Sequence, residues 1–380
     1  MDVRMPAEVF PPGDFLREEL DARGWSQTEF AEIIGKPVRT VNEIIAGKRQ
    51  ITPETATAIA AALGTSPQFW MNLETGYQLS RVAPAPERIG REARLRERFP
   101  VREMIKRGWI EASGTYEVLE TRVFEFFGIS EIEQEVRFSH AARRNHGEEL
   151  SMLQLAWLLR AERLASALQV PLYSETKLRA ALSKLEALTT EPEEARHVAR
   201  TLAECGVRFV IVEPVAGSKI EGVCFWLDGG KAPVVALTLL RDRIDNFWFN
   251  LRHEIEHVLR GDGKEQPVVD EVPDDDESGT IASVAGESEE ERAANEAAAD
   301  FCVPTKAMRD FIARVHPMYS KERLVGFSRI IKRHPGIVTG QIQKRINRYN
   351  LFREYQVKIR HVVIQAALTD GYGRSGPVTF

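Results

Sequence analysis

Between residues 13 and 80, apolar positions recur at helical spacing in five short runs, each bounded by start and stop signals, and the pattern predicts five short helices. Ser26 with Glu29 reads as a capping box, the serine oxygen taking the N3 amide while the glutamate reaches back to the cap amide. Thr52-Pro53 and Ser66-Pro67 each place a cap residue before a proline at the first helical position, where the missing N–H costs nothing. Gly24, Gly35, Gly47 and Gly64 fall where these helices must stop.

VAPAPER, after Arg81, reads as a linker, and residues 87 to about 200 carry helical patterns with few strand signals. Between about 206 and 240 the pattern changes to apolar runs of strand type: VRFVIVEPV, VCFWL, a DGG turn and PVVALTLL. Helical periodicity returns at Asn246 and dominates from Glu289 onward. Helices, a small sheet and helices again argue for an α+β class in the second half. No internal repeat is present.

A chain of 380 residues exceeds the usual size of one core, so two or three domains are expected. The amino terminus lacks an apolar signal-peptide core and no apolar run is long enough to span a bilayer, which points to a cytoplasmic protein without a membrane partner. Cys205, Cys224 and Cys302 are too few and too scattered for a disulfide framework and read as small buried hydrophobes. A net charge of -5 makes no global case for nucleic-acid binding, so such a case must rest on local clusters. Basic clusters lie at Arg88 to Arg107 and Arg323 to Arg360, and an acidic stretch at Asp270 to Glu291 reads as a solvated loop.

Pro37 to Ala46 fits the recognition helix of a helix-turn-helix, with Val38, Val41, Ile44 and Ile45 on one face. Arg39 and Thr40 then face outward with Glu43, and Asn42 lies on the flank. Lys48 and Arg49, just past the Gly47 stop, are placed to meet phosphates, as is Gln27 at the start of the preceding helix. Residues 10 to 80, including GKRQITPE and ALGTSPQFWMNL, resemble the HigA-type antitoxin branch of the Xre-like helix-turn-helix family. The resemblance implies a homodimer on a palindromic operator, often repressing its own operon, and a toxin partner. The acidic Glu43 on the outward face departs from a strongly basic DNA surface.

Asn246 to Arg260 contains His253-Glu254-Ile255-Glu256-His257. On a helix the two histidines share one face, close enough to bind one zinc, and Glu254 is turned toward the metal's open side as general base. With eight histidines in the chain, such a motif arises by chance about once in forty sequences of this kind, so more is needed. SEEERAANEAAADFCVP, at Ser288 to Pro304, resembles the third-ligand segment of the ImmA/IrrE metallopeptidase family. The resemblance, over residues 175 to 345, implies Glu291 as third ligand, Asn295 as a residue orienting a ligand histidine, and close helix packing at Ala294 and Ala298. Two departures are the long acidic insertion from Asp262 to Glu290, expected to contain no ligand and to lie over the cleft as a lid or a self-inhibitory segment, and Cys302-Val303 in place of large aliphatics. His334 is expected to cap a turn, and Glu256 to be a solvated charge.

The expected organisation is an all-α helix-turn-helix domain at residues 1 to 80, a basic linker and helical region at 81 to 174, a zincin-like peptidase domain at 175 to 345 and a C-terminal extension at 346 to 380. The expected function is a DNA-binding regulator or antitoxin joined to a zinc endopeptidase that cuts a regulatory protein, a repressor or a toxin partner encoded nearby. Zinc would supply Lewis acidity while Glu254 carries a proton from water to the leaving amine. The alternative is a non-cleaving antitoxin whose zinc domain is a scaffold or sensor.

Overall fold

The computed structural model describes residues 9–138, 143–144, 150–271 and 288–373. Contacts divide it into two compact units, Met1–Ile89 and Gly90–Phe380.

The first unit is five helices: α1 (Pro12–Arg23), α2 (Gln27–Ile33), α3 (Val38–Ile45), α4 (Pro53–Leu63) and α5 (Pro67–Arg81). The capping box of Ser26 and Glu29 is formed, and the Thr52 and Ser66 side chains each accept the N3 amide of the helix that follows. All four glycines named as stops have positive φ. Leu16, Phe30, Val41, Ile59 and Trp70 centre the core. α1 crosses α3 so closely that a Cβ at Gly13 would lie 2.2 Å from the Ile44 carbonyl oxygen. The buried Glu74 of α5 accepts the Ile51 amide at 3.0 Å, tying the turn before α4 to the last helix.

The second unit opens with α6 (Glu87–Arg98), α7 (Val101–Lys106), α8 (Tyr116–Phe127) and the short strand β1 (Arg143–Arg144). Next come α9 (Met152–Ala167), α10 (Glu175–Leu188), α11 (Val198–Glu204), β2 (Arg208–Val212), β3 (Ile220–Leu227), β4 (Ala232–Leu237), α12 (Ile244–Arg260) and β5 (Val268–Glu271). The chain then forms α13 (Glu289–Cys302), α14 (Thr305–Val315), α15 (Lys321–Ile330), α16 (Pro335–Ile346), α17 (Arg360–Val363) and β6 (Leu368–Asp370). The strands make one mixed sheet in the order β1-β5-β3-β4-β2-β6. β3 is antiparallel to both β4 and β5, and the other pairings are parallel.

Both faces of this sheet are covered. Val210, Val212, Val223, Phe225, Val234 and Ala236 pack into a core with α8 and α9, while Phe209, Ile211, Cys224, Val235 and Leu237 pack into another with α10, α11 and α12. Burial of both faces is why residues 209–212 and APVVAL are unbroken apolar runs rather than alternating ones.

Two expected boundaries change. Residues 90 to 174, expected as part of a basic linker and helical region, pack into the second unit, where Leu95, Phe99, Phe126, Phe127 and Trp157 belong to the core on one sheet face. Residues 346 to 380 are not a mere extension, because β6 pairs with β2 and Asp370 takes the Trp109 indole at 3.1 Å and the Arg160 guanidinium. Long-range strand pairing, which has no local signal, makes both segments part of the unit. No described helix is long and apolar enough to cross a membrane. The three cysteines are free and buried.

Candidate functional site

α12 is the central helix of the second unit, and its apolar side, Phe247, Trp248, Leu251, Ile255 and Val258, anchors it beneath the sheet. That anchoring fixes the opposite stripe, which carries His253 and His257 one turn apart. Their Nε2 atoms face each other at 3.0 Å. α13 packs on α12 through the fully buried Ala294 and Ala298, small enough for close approach. Ser288 caps α13 by accepting the Glu291 amide at 3.2 Å, which sets Glu291 at N3 facing the histidines. Its two oxygens stand 3.4 Å from His253 Nε2 and 3.5 Å from His257 Nε2.

A fourth donor comes from β5. Asp270 Oδ2 lies 2.8 Å from His253 Nε2, and one ligand atom from each of His253, His257, Asp270 and Glu291 falls within 4.8 Å of the other three. Tetrahedral zinc with nitrogen and oxygen bonds of about 2.0–2.1 Å spaces its ligand atoms roughly 3.3 Å apart, so the donor set fits such an ion. His257 Nδ1 meets Asp262 Oδ2 at 3.0 Å, an arrangement that places the ring proton on Nδ1 and turns the Nε2 lone pair inward. Asn295, expected to steady a ligand ring, is half-buried one turn beyond Glu291. The ring partner seen here is Asp262, which sequence reasoning passed over as the start of an insertion.

Glu254 is fully buried beside this cluster, with the Asp270 carboxylate close enough to share a proton with it. Burial pushes its pKa well above the carboxylate range, and the Asp270 and Glu291 charges act in the same direction against His253. For His253 burial alone would lower the pKa, but Asp270 and Glu291 outweigh it and raise it well above the usual imidazole value. A carboxylate whose pKa is raised by burial holds its proton more readily than an exposed one, which is the direction a proton-carrying group needs. Glu256 turns away to Arg252 at 2.7 Å, and His334 caps α16 by accepting the Gly336 amide at 3.0 Å.

The expectation that the insertion holds no ligand is corrected, since Asp270 sits among the donors and β5 is part of the sheet. Residues 272–287, the rest of the expected lid, lie outside the described residues.

In the first unit, Arg39, Asn42, Lys48, Arg49 and Gln27 are all exposed. Thr40 is not: it is 8% exposed, and its Oγ1 accepts from Arg49 at 3.4 Å. The expected outward position of Thr40 is therefore corrected, because α3 is rotated so that Thr40, Val41, Ile44 and Ile45 share its buried side. Glu43 accepts from Arg39 at 2.7 Å and pairs with Arg49 at 3.3 Å, which neutralises the acid on this face.

Residues 16–70 match the helix-turn-helix family. An Escherichia coli (strain K12) protein described as the uncharacterized HTH-type transcriptional regulator YddM is 36% identical over 71 residues, which are 76% of that protein and 19% of this chain. The chain belongs to the helix-turn-helix family. Virulence-associated protein I of Dichelobacter nodosus is 37% identical over 76 residues, 68% of its length and 20% of this chain. Among solved structures, the Pseudomonas aeruginosa antitoxin HigA with the higBA promoter aligns at 28% identity, covering 21% of this chain and all of that one, with a TM-score of 0.19. An addiction module antidote protein of a HigA family from Coxiella burnetii aligns at 31% identity over 20% of this chain and 97% of its own, with a TM-score of 0.18. In this helix-turn-helix, α2 and α3 are the paired helices, and Lys48 and Arg49 follow α3 directly.

Proposed function

We propose that the chain is a two-part regulator: its helix-turn-helix binds a palindromic operator as a homodimer, and its second unit is a zinc-dependent endopeptidase, similar to the ImmA/IrrE family, acting on a repressor or toxin partner. The carrying observation is the convergence of His253, His257 and Glu291 beside the fully buried Glu254. The relatives named as transcriptional regulator and antitoxin support the first half.

His253, His257 and Glu291 would hold the ion, a His/His/Glu set of the kind that leaves one position open for chemistry. Zinc bound there supplies Lewis acidity toward water and the scissile carbonyl. Glu254 takes the proton from the attacking water and returns it to the amide nitrogen as the C–N bond breaks. Asp262 holds the His257 ring in one tautomer. Gly222 of β3 leaves the space that the Glu254 carboxylate occupies.

The test is co-incubation of the purified chain with the protein encoded beside it. The expected result is a discrete fragment that vanishes with a chelator and with Glu254→Gln. A second reading, a scaffold that neutralises a toxin without cutting, is favoured by the fourth donor, since structural zinc sites close with four ligands. Stable binding of the neighbour with no fragment would select it.

A further inference from the structure

Successive side chains on a strand point to opposite faces. In β5, Val269 enters the core at 1% exposure, and Asp270 emerges on the face where α12 lies. β5 is antiparallel to β3, with Gly222 opposite Asp270. Gly222 is also the residue whose Cα abuts the Glu254 carboxylate. β5 thus lies along the β3 edge that passes the candidate base, and from there it adds its carboxylate to the donor set. The result is a sealed centre, with Glu254 and His257 at 0% exposure, His253 at 4% and Glu291 at 5%.

An enzyme that hydrolyses a peptide must leave one metal position open and must admit an extended segment beside the base. Extended peptides commonly dock by adding a strand to a free sheet edge. Here both places are taken by residues of the same chain. We propose that β5 is an intrachain blocker: Val268–Glu271 occupies the β3 edge as a substrate strand would, and Asp270 fills the fourth position on the metal. The inference rests on the zinc-peptidase reading and adds to it a closed resting state. β5 is only four residues long, against eight in β3, and on its other side it pairs only with the two-residue β1, so a competing extended segment of a protein substrate has two short ladders to break in displacing it. Displacement removes Asp270 from His253 and opens the centre and the edge together.

The test uses the full chain loaded with Co2+ in place of zinc, with acetohydroxamate as probe and the visible absorption of Co2+ as readout. Wild type is expected to hold stoichiometric Co2+ with a spectrum that the probe leaves unchanged. Asp270→Ala is expected to keep the metal and to bind the probe at least about tenfold more tightly. Asp270→Asn keeps the size of the side chain and should behave in the same way, with thermal unfolding of each variant confirming an intact fold. A wild type that binds the probe as tightly as Asp270→Ala overturns the blocker while leaving the metal centre standing. Loss of Co2+ from both Asp270 variants, in folded protein, overturns it too, because Asp270 is then an obligatory ligand. Failure of folded wild type to hold Co2+ overturns the metal reading and the blocker with it.

Discussion

A Cβ placed on Gly222 would lie 2.2 Å from Oε1 of Glu254 and 3.0 Å from Cδ2 of Leu237. The strand beside the candidate site and the helix that carries it therefore meet through a glycine, and the Glu254 carboxylate fills the volume of the absent side chain. Gly222→Ala should cost roughly 1–3 kcal/mol of stability, the usual range for overpacking a filled interior. Gly326→Ala is the control, since nothing lies within 4 Å of a Cβ there and alanine favours the helix. Urea denaturation of the two variants checks the contrast. Equal midpoints would show that Gly222 does not hold Glu254 in place.

Glu254→Gln should abolish cleavage while leaving metal content and fold intact. The amide has the size of the acid but cannot carry a proton, and such acid-base catalysis is worth about 10² to 10⁴ in rate. His253→Ala, His257→Ala and Glu291→Ala should instead release the metal, because each removes one of the three ligands of the proposed site, whereas Asp270 only adds a fourth donor to it. Asp262→Asn should weaken metal binding by about 10- to 100-fold, since it disturbs only the partner of the His257 ring. Metal analysis of the dialysed proteins, beside fragment appearance, separates the three classes.

Metal uptake should depend on pH in a defined direction. Asp270 and Glu291 raise the pKa of His253 against the effect of its burial, so in the metal-free protein this ring keeps its proton to higher pH than a free imidazole does. A metal must displace that proton to reach Nε2. Affinity should therefore rise with pH through neutrality, until the solution passes the raised pKa. Titration calorimetry in buffers of different ionisation enthalpy should show proton release at pH 7, and uptake without release would contradict the protonated state.

On the helix-turn-helix, Glu43 pairs with both Arg39 and Arg49, and both partners lower its pKa, Arg39 foremost. Glu43→Gln should tighten binding to duplex DNA by freeing two guanidinium groups. Lys48→Ala should weaken it and lower the salt slope by about one unit, as expected for one lost phosphate contact. Fluorescence anisotropy across a salt series reads both effects. An unchanged slope in Lys48→Ala would remove this lysine from the interface.

What the sequence determined by itself is what depends on neighbours within a turn or two. The caps at Ser26, Thr52 and Ser66, the stop glycines, and the i, i+4 pair His253 and His257 follow from helix geometry alone. The position of Glu291 in the first turn of its helix was legible from the sequence, three residues after the cap Ser288. The tertiary structure decided what depends on register and rotation. Thr40 is turned inward by the packing of α3, which a helical period that does not fix absolute rotation left open. β6 and the helices from residue 90 onward join the sheet unit through contacts between residues more than a hundred positions apart, as in Trp109 with Asp370. Asp270 stands in an acidic run where composition favours no carboxylate over its neighbours. Pairing of β5 with β3 and the two-residue alternation of a strand, which buries Val269 on one face, put Asp270 rather than an adjacent acid beside His253.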